Sequence, residues 1–451
     1  MSLAADPDVA AAAAAAAVAA EPRAAAEPGA AADPLAREPL AGRLAEIVAL
    51  GPRFAGTPGE RACRHYLVRE LSLLGAASIE EEPFPYLGYQ PVAAACELVG
   101  GDLLLPCRPL QSTANAVTEG SAVYVGDGTQ SDIESVEQRL GGLAGHVVVA
   151  QPPNLFDTAA ALASRGIAAL VNVAPTASGL IGSFTASLYP PPLEPPWEGR
   201  ILPFPGVTVE ASAARRLLAL VSSGPVRLRV EHRAIYSESE SANVVATLPG
   251  TAWPEEVVIV GAHYDTQLDC PGAWDNGTGL ASLMQIAEAL AGSPCPRTIR
   301  FVAFGAEEPA LWGSYTHTVR RREELSRVVG MVNLDTVGAP VNGPRVLVAS
   351  PGMRALAGDA AELAGWGAFE WEHPDEERYF DHTPFADAGV PVACLLQHRL
   401  SHPYYHSPGD TLDLVDLGSM AAAARAAAAT VISLASVDPG GLPERHVRLA
   451  R

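Results

Sequence analysis

Four apolar runs, Val257–Ala262, Ile299–Phe304, Val328–Leu334 and Val390–Leu396, constrain this chain more than any other feature. None of them alternates with polar residues, which is the pattern of strands buried on both faces of a parallel sheet. Between the first two, Thr278–Ala291 carries Leu283, Ile286, Ala287 and Leu290 on one stripe, with Gly292 as its stop, and reads as a helix. Alternating strand and helix predict an α/β sheet.

Each run ends in chemistry. His263 directly follows the first, Glu307 and Glu308 follow the second after Gly305-Ala306, Asp335 follows the third, and the fourth leads into a histidine-rich loop holding His406. Open α/β sheets place their ligands at these carboxyl ends. With Asp265 and Asp275, two imidazoles and several carboxylates form the nitrogen and oxygen donor set of a hydrolytic zinc centre. Carboxylates crowded this way repel one another unless cations fill the gap. Singly the signals are bland: a lone histidine after a strand is an ordinary core residue, Glu307-Glu308 alone is a solvated turn, and Asp265 alone is a turn residue. Their shared placement in one domain carries the specificity.

The 451 residues are 48% hydrophobic, enough for one large core or two ordinary ones. Thirty basic against 51 acidic residues give a net charge of −21, which repels phosphate backbones and leaves nucleic acid out as a main partner. All thirty basic residues are arginine, excluding Schiff-base lysine chemistry and a P-loop lysine. Six cysteines form no CxxC pair, and only Cys96 and Cys107 stand as a candidate disulfide. No membrane insertion is expected, since the nearest apolar run, Val9–Ala20, is mostly alanine. The N-terminus lacks a clear signal peptide, which favours a cytoplasmic protein over a secreted one.

Residues 1–36 read as a disordered Ala/Pro-rich tail. Order begins near Leu40, and Glu60–Leu74 repeats apolar residues at helical spacing up to Gly75. The stretch 91–236 differs in texture, with short β-like runs at Ser121–Val125, His146–Ala150 and Ala168–Val173, helices predicted over Leu155–Arg165 and Ala211–Val221, and proline clusters. It is expected to be a separate module without an active-site cluster of its own.

The phrases Gly261-Ala262-His263-Tyr264-Asp265, Gly272-Ala273-Trp274-Asp275-Asn276-Gly277-Thr278-Gly279, Glu307-Glu308 with Leu311-Trp312-Gly313-Ser314, Asn333-Leu334-Asp335 and Tyr405-His406-Ser407 closely resemble the di-zinc aminopeptidases of the M28 metallopeptidase family. Gly51–Gly59 is similar to the segment that opens the catalytic domain there, and Gly145–Ala150, Gly166–Val173 and Pro205–Val209 resemble an inserted protease-associated (PA) domain. The resemblance implies a mixed, largely parallel central sheet flanked by helices, with a β-rich α+β PA-like insertion. The catalytic domain would cover 37–90 and 237–440, the insertion 91–236, and a C-terminal tail 441–451.

It also implies two Zn2+ ions per chain. Asp275 would bridge them, Glu308 and His406 would complete one ligand set, and His263 and Asp335 the other. Asp265 would accept the other ring N–H of His263. Glu307 would be the general base and proton carrier, and Tyr405 a donor to the developing oxyanion, with Tyr404 and His402 as rivals. The Asp275–Asn276 peptide is commonly cis in the family, and Asp381-His382 matches a pair supporting the site from outside. The family often has glycine where Ala310 stands.

The implied substrate is a peptide or amino-acid amide, cleaved at its N-terminal residue, and a homo-oligomer is compatible with the sequence. Other readings stay open. A carboxypeptidase or dipeptidase would need arginines facing the substrate carboxylate, and Arg378 and Arg399 flank the site segments. A single-zinc glutaminyl-cyclase-like acyl transferase and a non-catalytic binding protein complete the alternatives.

Overall fold

The computed structural model describes residues 33–449 except 76–77, 175, 178, 187–190, 192, 196, 198–199, 340–343 and 398–401. The tail expected over 1–36 lies outside the described residues as far as residue 32, while Leu35 is already buried in the main core. Two helices follow, α1 (Arg37–Val48) and α2 (Pro58–Leu73). Thr57 caps α2 by accepting from the Glu60 amide, Pro58 occupies the first turn where no donor is needed, and Cys63, Tyr66, Leu67 and Leu71 form its buried stripe.

The next strands are β1 (Ser78–Leu98), β2 (Leu104–Leu105), β3 (Cys107–Pro109), β4 (Ala116–Tyr124), β5 (Val147–Ala150), β6 (Ala169–Ala174), β7 (Gly206–Glu210) and β8 (Arg227–Leu248). The second half adds β9 (Trp253–His263), β10 (Arg297–Phe304), β11 (Val328–Leu334), β12 (Arg345–Ala349), β13 (Phe369–Glu372) and β14 (Val392–Gln397). Helices α3 (Gln130–Leu140), α4 (Leu155–Leu162) and α5 (Ala211–Ser223) lie in the stretch 91–236 expected to be an inserted module. Helices α6 (Thr278–Leu290), α7 (Trp312–Arg320), α8 (Arg354–Leu363), α9 (Thr383–Asp387) and α10 (Leu417–Ser436) belong to the second half.

The strands form one sheet in the order β13-β12-β14-β11-β9-β10-β8-β4-β5-β6-β7-β3, with β1 lying against β8. Its catalytic part is parallel from β10 through β9 and β11 to β14, and β12 and β8 run antiparallel at the flanks. The unalternating apolar runs have a direct explanation. Val258, Val260 and Ala262 of β9 pack with α6 and α10 on one face, while Val257 and Ile259 pack with Phe304 and Phe385 on the other.

The inserted module is joined by strands, not by loops. β1 pairs with β8 from Ser78 opposite Thr247 to Leu98 opposite Leu228, with one slip between Pro91 and Ala93. One end of β8 pairs with β10 and the other with β4, so the two halves share a strand. The expected boundaries at 90/91 and 236/237 fall inside this ribbon, where Tyr89 faces Tyr236 and Gln90 faces Ile235. β1 escapes a sequence reading because Pro83, Pro85, Gly88 and Pro91 interrupt it. An edge strand tolerates prolines, whose missing donors point away from the single long partner.

Three expectations change. Cys96 and Cys107 are free thiols. Cys96 pairs across to Leu105 and Cys107 to Val209, so they sit on different strand pairs. Residues 442–449 are not a loose tail: Arg445 donates to the Leu325 and Val328 carbonyls, His446 is buried between Ser350 and Asp375, and Arg448 pairs with Asp387. Leu417–Ser436 is long and apolar enough by composition to cross a membrane, a feature its alanine content conceals, yet its residues are largely buried in the core.

A buried polar knot ties β1 to α7, the helix behind Glu307 and Glu308. Glu82 accepts from Arg321 Nε at 2.7 Å and from His317 Nδ1 at 2.8 Å. Burial pushes the Glu82 carboxyl upward, but these two partners outweigh it and hold it at about 2, against an ordinary 4.5. Burial keeps His317 neutral, so Arg321 supplies the balancing charge. With its folded value depressed, Glu82 stabilises the protein above the ordinary carboxylate range and loses that contribution as pH falls from about 4.5 to about 2. Urea unfolding should therefore find Glu82→Gln weaker by about 2 kcal/mol at pH 7, with the gap closing on acidification. A gap that does not vary with pH would refute this account.

Candidate metal centre

His263 ends β9 and Asp335 follows the parallel neighbour β11, so the sheet itself brings them together: His263 Nε2 lies 3.4 Å from Asp335 Oδ2. Glu307 and Glu308 follow β10, and Glu307 Oε2 stands 4.0 Å from the same nitrogen. Asp275 precedes α6 and reaches both histidines, with Oδ1 3.2 Å from His263 Nε2 and Oδ2 3.1 Å from His406 Nε2. His406 Nε2 is also 3.2 Å from Glu308 Oε2. Two donor sets result, His263 with Glu307 and Asp335, and Asp275 with Glu308 and His406, the donor atoms of each lying within 4.8 Å of one another.

All six residues are less than a tenth exposed, so water screens their charges poorly. Burial first, and then neighbouring Glu308, Asp381 and Asp335, push the Glu307 carboxyl well above its usual range despite His263. Burial and Asp275 do the same to Glu308, and burial raises Asp335 to about 6. At Asp275 burial is outweighed by hydrogen bonds from both histidines, and its carboxyl is held low. Burial opposes charge on His263, but Asp335 and Glu307 push its pKa well up. Glu308 Oε1 and Asp335 Oδ2 are buried without a well-formed hydrogen bond. Buried carboxylate oxygens and imidazole nitrogens, without thiolates, fit zinc.

A further ring of contacts orients these donors. His263 Nδ1 is 3.1 Å from the Asp265 backbone carbonyl and 3.7 Å from its carboxylate. The same carboxylate accepts the Glu307 and Glu308 amides at 3.0 and 3.2 Å, aiming both glutamates. Those two amides sit in the turn off β10 and offer charge-assisted bonds. The Asp275–Asn276 peptide is cis, and Asn276 spans to β11 by donating to the Leu334 carbonyl and accepting the Thr336 amide. Ala306, Thr336 and His406, beside or within three donor segments, have φ of 51°, 49° and 56°. Ala310 has φ 124°, a conformation that suits glycine far better.

Two positioning residues escaped the sequence reading. Asp410 accepts the Trp274 amide at 2.8 Å and the Asp275 amide at 3.0 Å, tying the His406 loop to the Asp275 turn. Arg53, fully buried, donates to the carbonyls of Tyr264, Pro271 and Gly272. Only their adjacency to singled-out phrases, Tyr405-His406-Ser407 and Gly51–Gly59, marked them in the sequence.

Tyr405 lines the cleft with its ring stacked on His406, centroids 3.6 Å apart. Its rivals point elsewhere, His402 stacking on Trp274 at 4.5 Å and Tyr404 packing against His402. Asp381 and His382 are buried outside both donor sets, and burial holds Asp381 at about 7. Arg378 is bound to Asp387 at 2.9 Å and does not line the cleft, and Arg399 lies outside the described residues.

Paired nitrogen and oxygen donor sets at the carboxyl ends of a largely parallel sheet are what a hydrolytic metal centre requires. The family model "Peptidase family M28" matches residues 243–431, the segment that holds every donor. Aminopeptidase YwaD of Bacillus subtilis is 30% identical over 194 residues, 40% of this chain and 41% of that protein. Leupeptin-inactivating enzyme 1 of Streptomyces exfoliatus is 32% identical over 34% of this chain and 35% of its own. The match thus spans about two fifths or less of these relatives' length. Among solved structures, an aminopeptidase from Aneurinibacillus sp. strain AM-1 shares the fold with TM-score 0.67 and 24% identity, over 91% of this chain and 95% of that one. A peptidase M28 precursor from Shewanella amazonensis gives TM-score 0.70 and 19% identity, over 92% and 98%. Coverage this large takes in the inserted module.

Asp410→Ala should weaken zinc binding about 10- to 100-fold by freeing the Asp275 turn, as removal of a ligand's supporting partner generally does. Zinc titration against a competing chelator checks it, and unchanged affinity would remove Asp410 from the site.

Proposed function

We propose that the chain is a zinc-dependent exopeptidase, an aminopeptidase that removes N-terminal residues from peptides or amino-acid amides. His263 and Asp335 would hold one zinc ion, Glu308 and His406 a second, with Asp275 bridging. The observation that carries this reading is the placement of the two Asp275 oxygens, one against each histidine at 3.2 and 3.1 Å. Bound zinc would lower the pKa of a water and polarise the scissile carbonyl. Two complete donor sets favour this over the single-zinc cyclase reading and over a binding protein that has lost its ligands.

Glu307 is the proton carrier. Both glutamates line the cleft, but Glu308 stands 3.2 Å from His406 Nε2, whereas Glu307 lies 4.0 Å from the nearest imidazole nitrogen, that of His263. Such a carboxylate takes a proton from water and returns it to the leaving amine. Tyr405, stacked on His406 and lining the cleft, would donate its hydroxyl to the developing oxyanion. Substrate polarity follows from charge. Among the described residues lining the cleft, every charged or titratable group belongs to the donor sets, apart from two tyrosines, and no arginine is present. An acidic cleft receives a substrate ammonium and lacks the clamp that a free carboxylate would need.

Chelator should abolish turnover of amino-acid anilides and zinc should restore it, while N-blocked peptides stay intact throughout. Glu307→Gln should cut kcat by about a thousandfold or more while the protein keeps its full zinc content by metal analysis. Turnover of blocked peptides alone would overturn the aminopeptidase reading, and an active Glu307→Gln would overturn the mechanism.

A further inference from the structure

His263, Glu307, Glu308 and Asp335 stand at or just beyond strand ends and Asp275 precedes α6, whereas His406 sits in the turns of residues 402–410. Its backbone takes φ 56°, a conformation that a residue with a side chain keeps only where surrounding contacts over-determine it. Inside the loop the Tyr405 amide donates to the His402 carbonyl and the Ser407 amide to the Tyr404 carbonyl, which shapes the turns without fixing where they stand. Contacts from the inserted module supply that position. The Ser183 amide donates to the His406 carbonyl at 2.9 Å, and the Ala177 amide to the Pro403 carbonyl at 2.7 Å. Phe184 lays its ring against the His406 imidazole, centroids 5.2 Å apart, and meets the Tyr405 ring edge-on at 6.3 Å. This segment is itself anchored: the Phe184 carbonyl accepts the Gln111 amide at 3.1 Å, the Ala186 amide donates to the Gln111 carbonyl at 3.0 Å, and Phe184 packs on the core of Leu110, Leu202 and Phe204. A side chain at Gly182 would come within 2.4 Å of the Phe184 ring, so glycine there leaves the ring its place.

We propose that Phe184, with the Ser183 and Ala177 amides, is a positioning element for His406, so that the inserted module completes the second donor set from outside the catalytic half and sets its affinity for metal apart from that of the first. The inference rests on the two-zinc reading above and adds that the two sites depend on different parts of the chain. His263 and Asp335 are carried by the paired strands β9 and β11, so loosening Phe184 leaves their spacing as it is. The second set has no such frame on its His406 side. Removing the Phe184 ring opens space beside the imidazole and lets it swing away from Asp275 and Glu308, its neighbours at 3.1 and 3.2 Å. A histidine that must be ordered at the moment of binding gives up part of its metal affinity to conformational entropy. A phenylalanine that only filled space would affect both sites alike, or neither.

The test is a two-step zinc titration of the metal-free full chain against a competing chelator. Phe184→Ala should weaken one zinc equivalent about 10- to 100-fold and leave the other unchanged, and Phe184→Leu should recover part of the loss. Two backgrounds assign the equivalent: in Asp335→Ala, which keeps the second set, the loss should remain, and in His406→Ala it should vanish. Hydrogen exchange of the metal-free chain reads the loop without zinc or turnover. The Tyr405 and Ser407 amides should exchange about tenfold faster in Phe184→Ala, while those of β9 and β11 keep their wild-type rates. An equal loss from both equivalents, no loss from either, a loss that persists in His406→Ala, or unchanged exchange in the loop would each overturn the proposal. If the wild type binds a single equivalent, the two-zinc reading fails. Exchange then decides the role of Phe184 independently: a rise confined to the loop upholds it, and an unchanged rate or a rise that includes β9 and β11 overturns it.

Discussion

Everything in the catalytic half is arranged around one electrostatic demand: Asp275, Glu307, Glu308 and Asp335 are brought within reach of two imidazoles in a place where water cannot screen them. Desolvation alone makes four neighbouring carboxylates untenable as anions. Protons can meet the demand, and the raised pKa values of Glu307, Glu308 and Asp335 express that solution. Divalent cations meet it better, because one charge of two serves several oxygens at once.

Holding such a cluster requires backbone control that strands alone do not supply. Strand ends bring His263, Glu307 and Asp335 into a row, but the row is aimed by Asp265 gripping two consecutive amides and by Asn276 spanning from the Asp275 turn to β11. Asp410 adds a constraint of a different kind, since it links the two polypeptide segments that share the second donor set. The left-handed backbone at Ala306, Thr336 and His406 fits this picture: non-glycine residues adopt it where surrounding contacts over-determine the conformation.

The legible part of the sequence is the part governed by short-range rules. Val257–Ala262 and Val328–Leu334 read as doubly buried strands because both faces of β9 and β11 are covered, and the residues after them read as ligands because parallel strands end together. The grip of the Asp265 carboxylate on two amides was illegible because a residue two positions from a histidine shows its local partner only, and the turn after β10 is what brings the Glu307 and Glu308 amides to it. β1 was illegible for the opposite reason. Its prolines break every local strand rule, and it exists because β8 supplies 20 paired positions along its length. Likewise residues 442–449 lack apolar periodicity and are held by arginine and histidine contacts to segments more than 60 residues away in sequence.

That long ribbon also bears on how the cleft is built. An insertion tethered by loops could drift relative to the donors, and residues on it would then make poor walls. Here β8 carries hydrogen bonds to β10 at one end and to β4 at the other, so a rigid strand sets the distance between the metal-binding sheet and the inserted sheet. The parallel strands of both sheets send their exit segments into one space, Pro152 to Phe156 after β5 and the donor segments after β9, β10 and β11. The donors and the Pro152–Phe156 wall of the cleft thus come from opposite ends of one sheet, held in register by the strand they share.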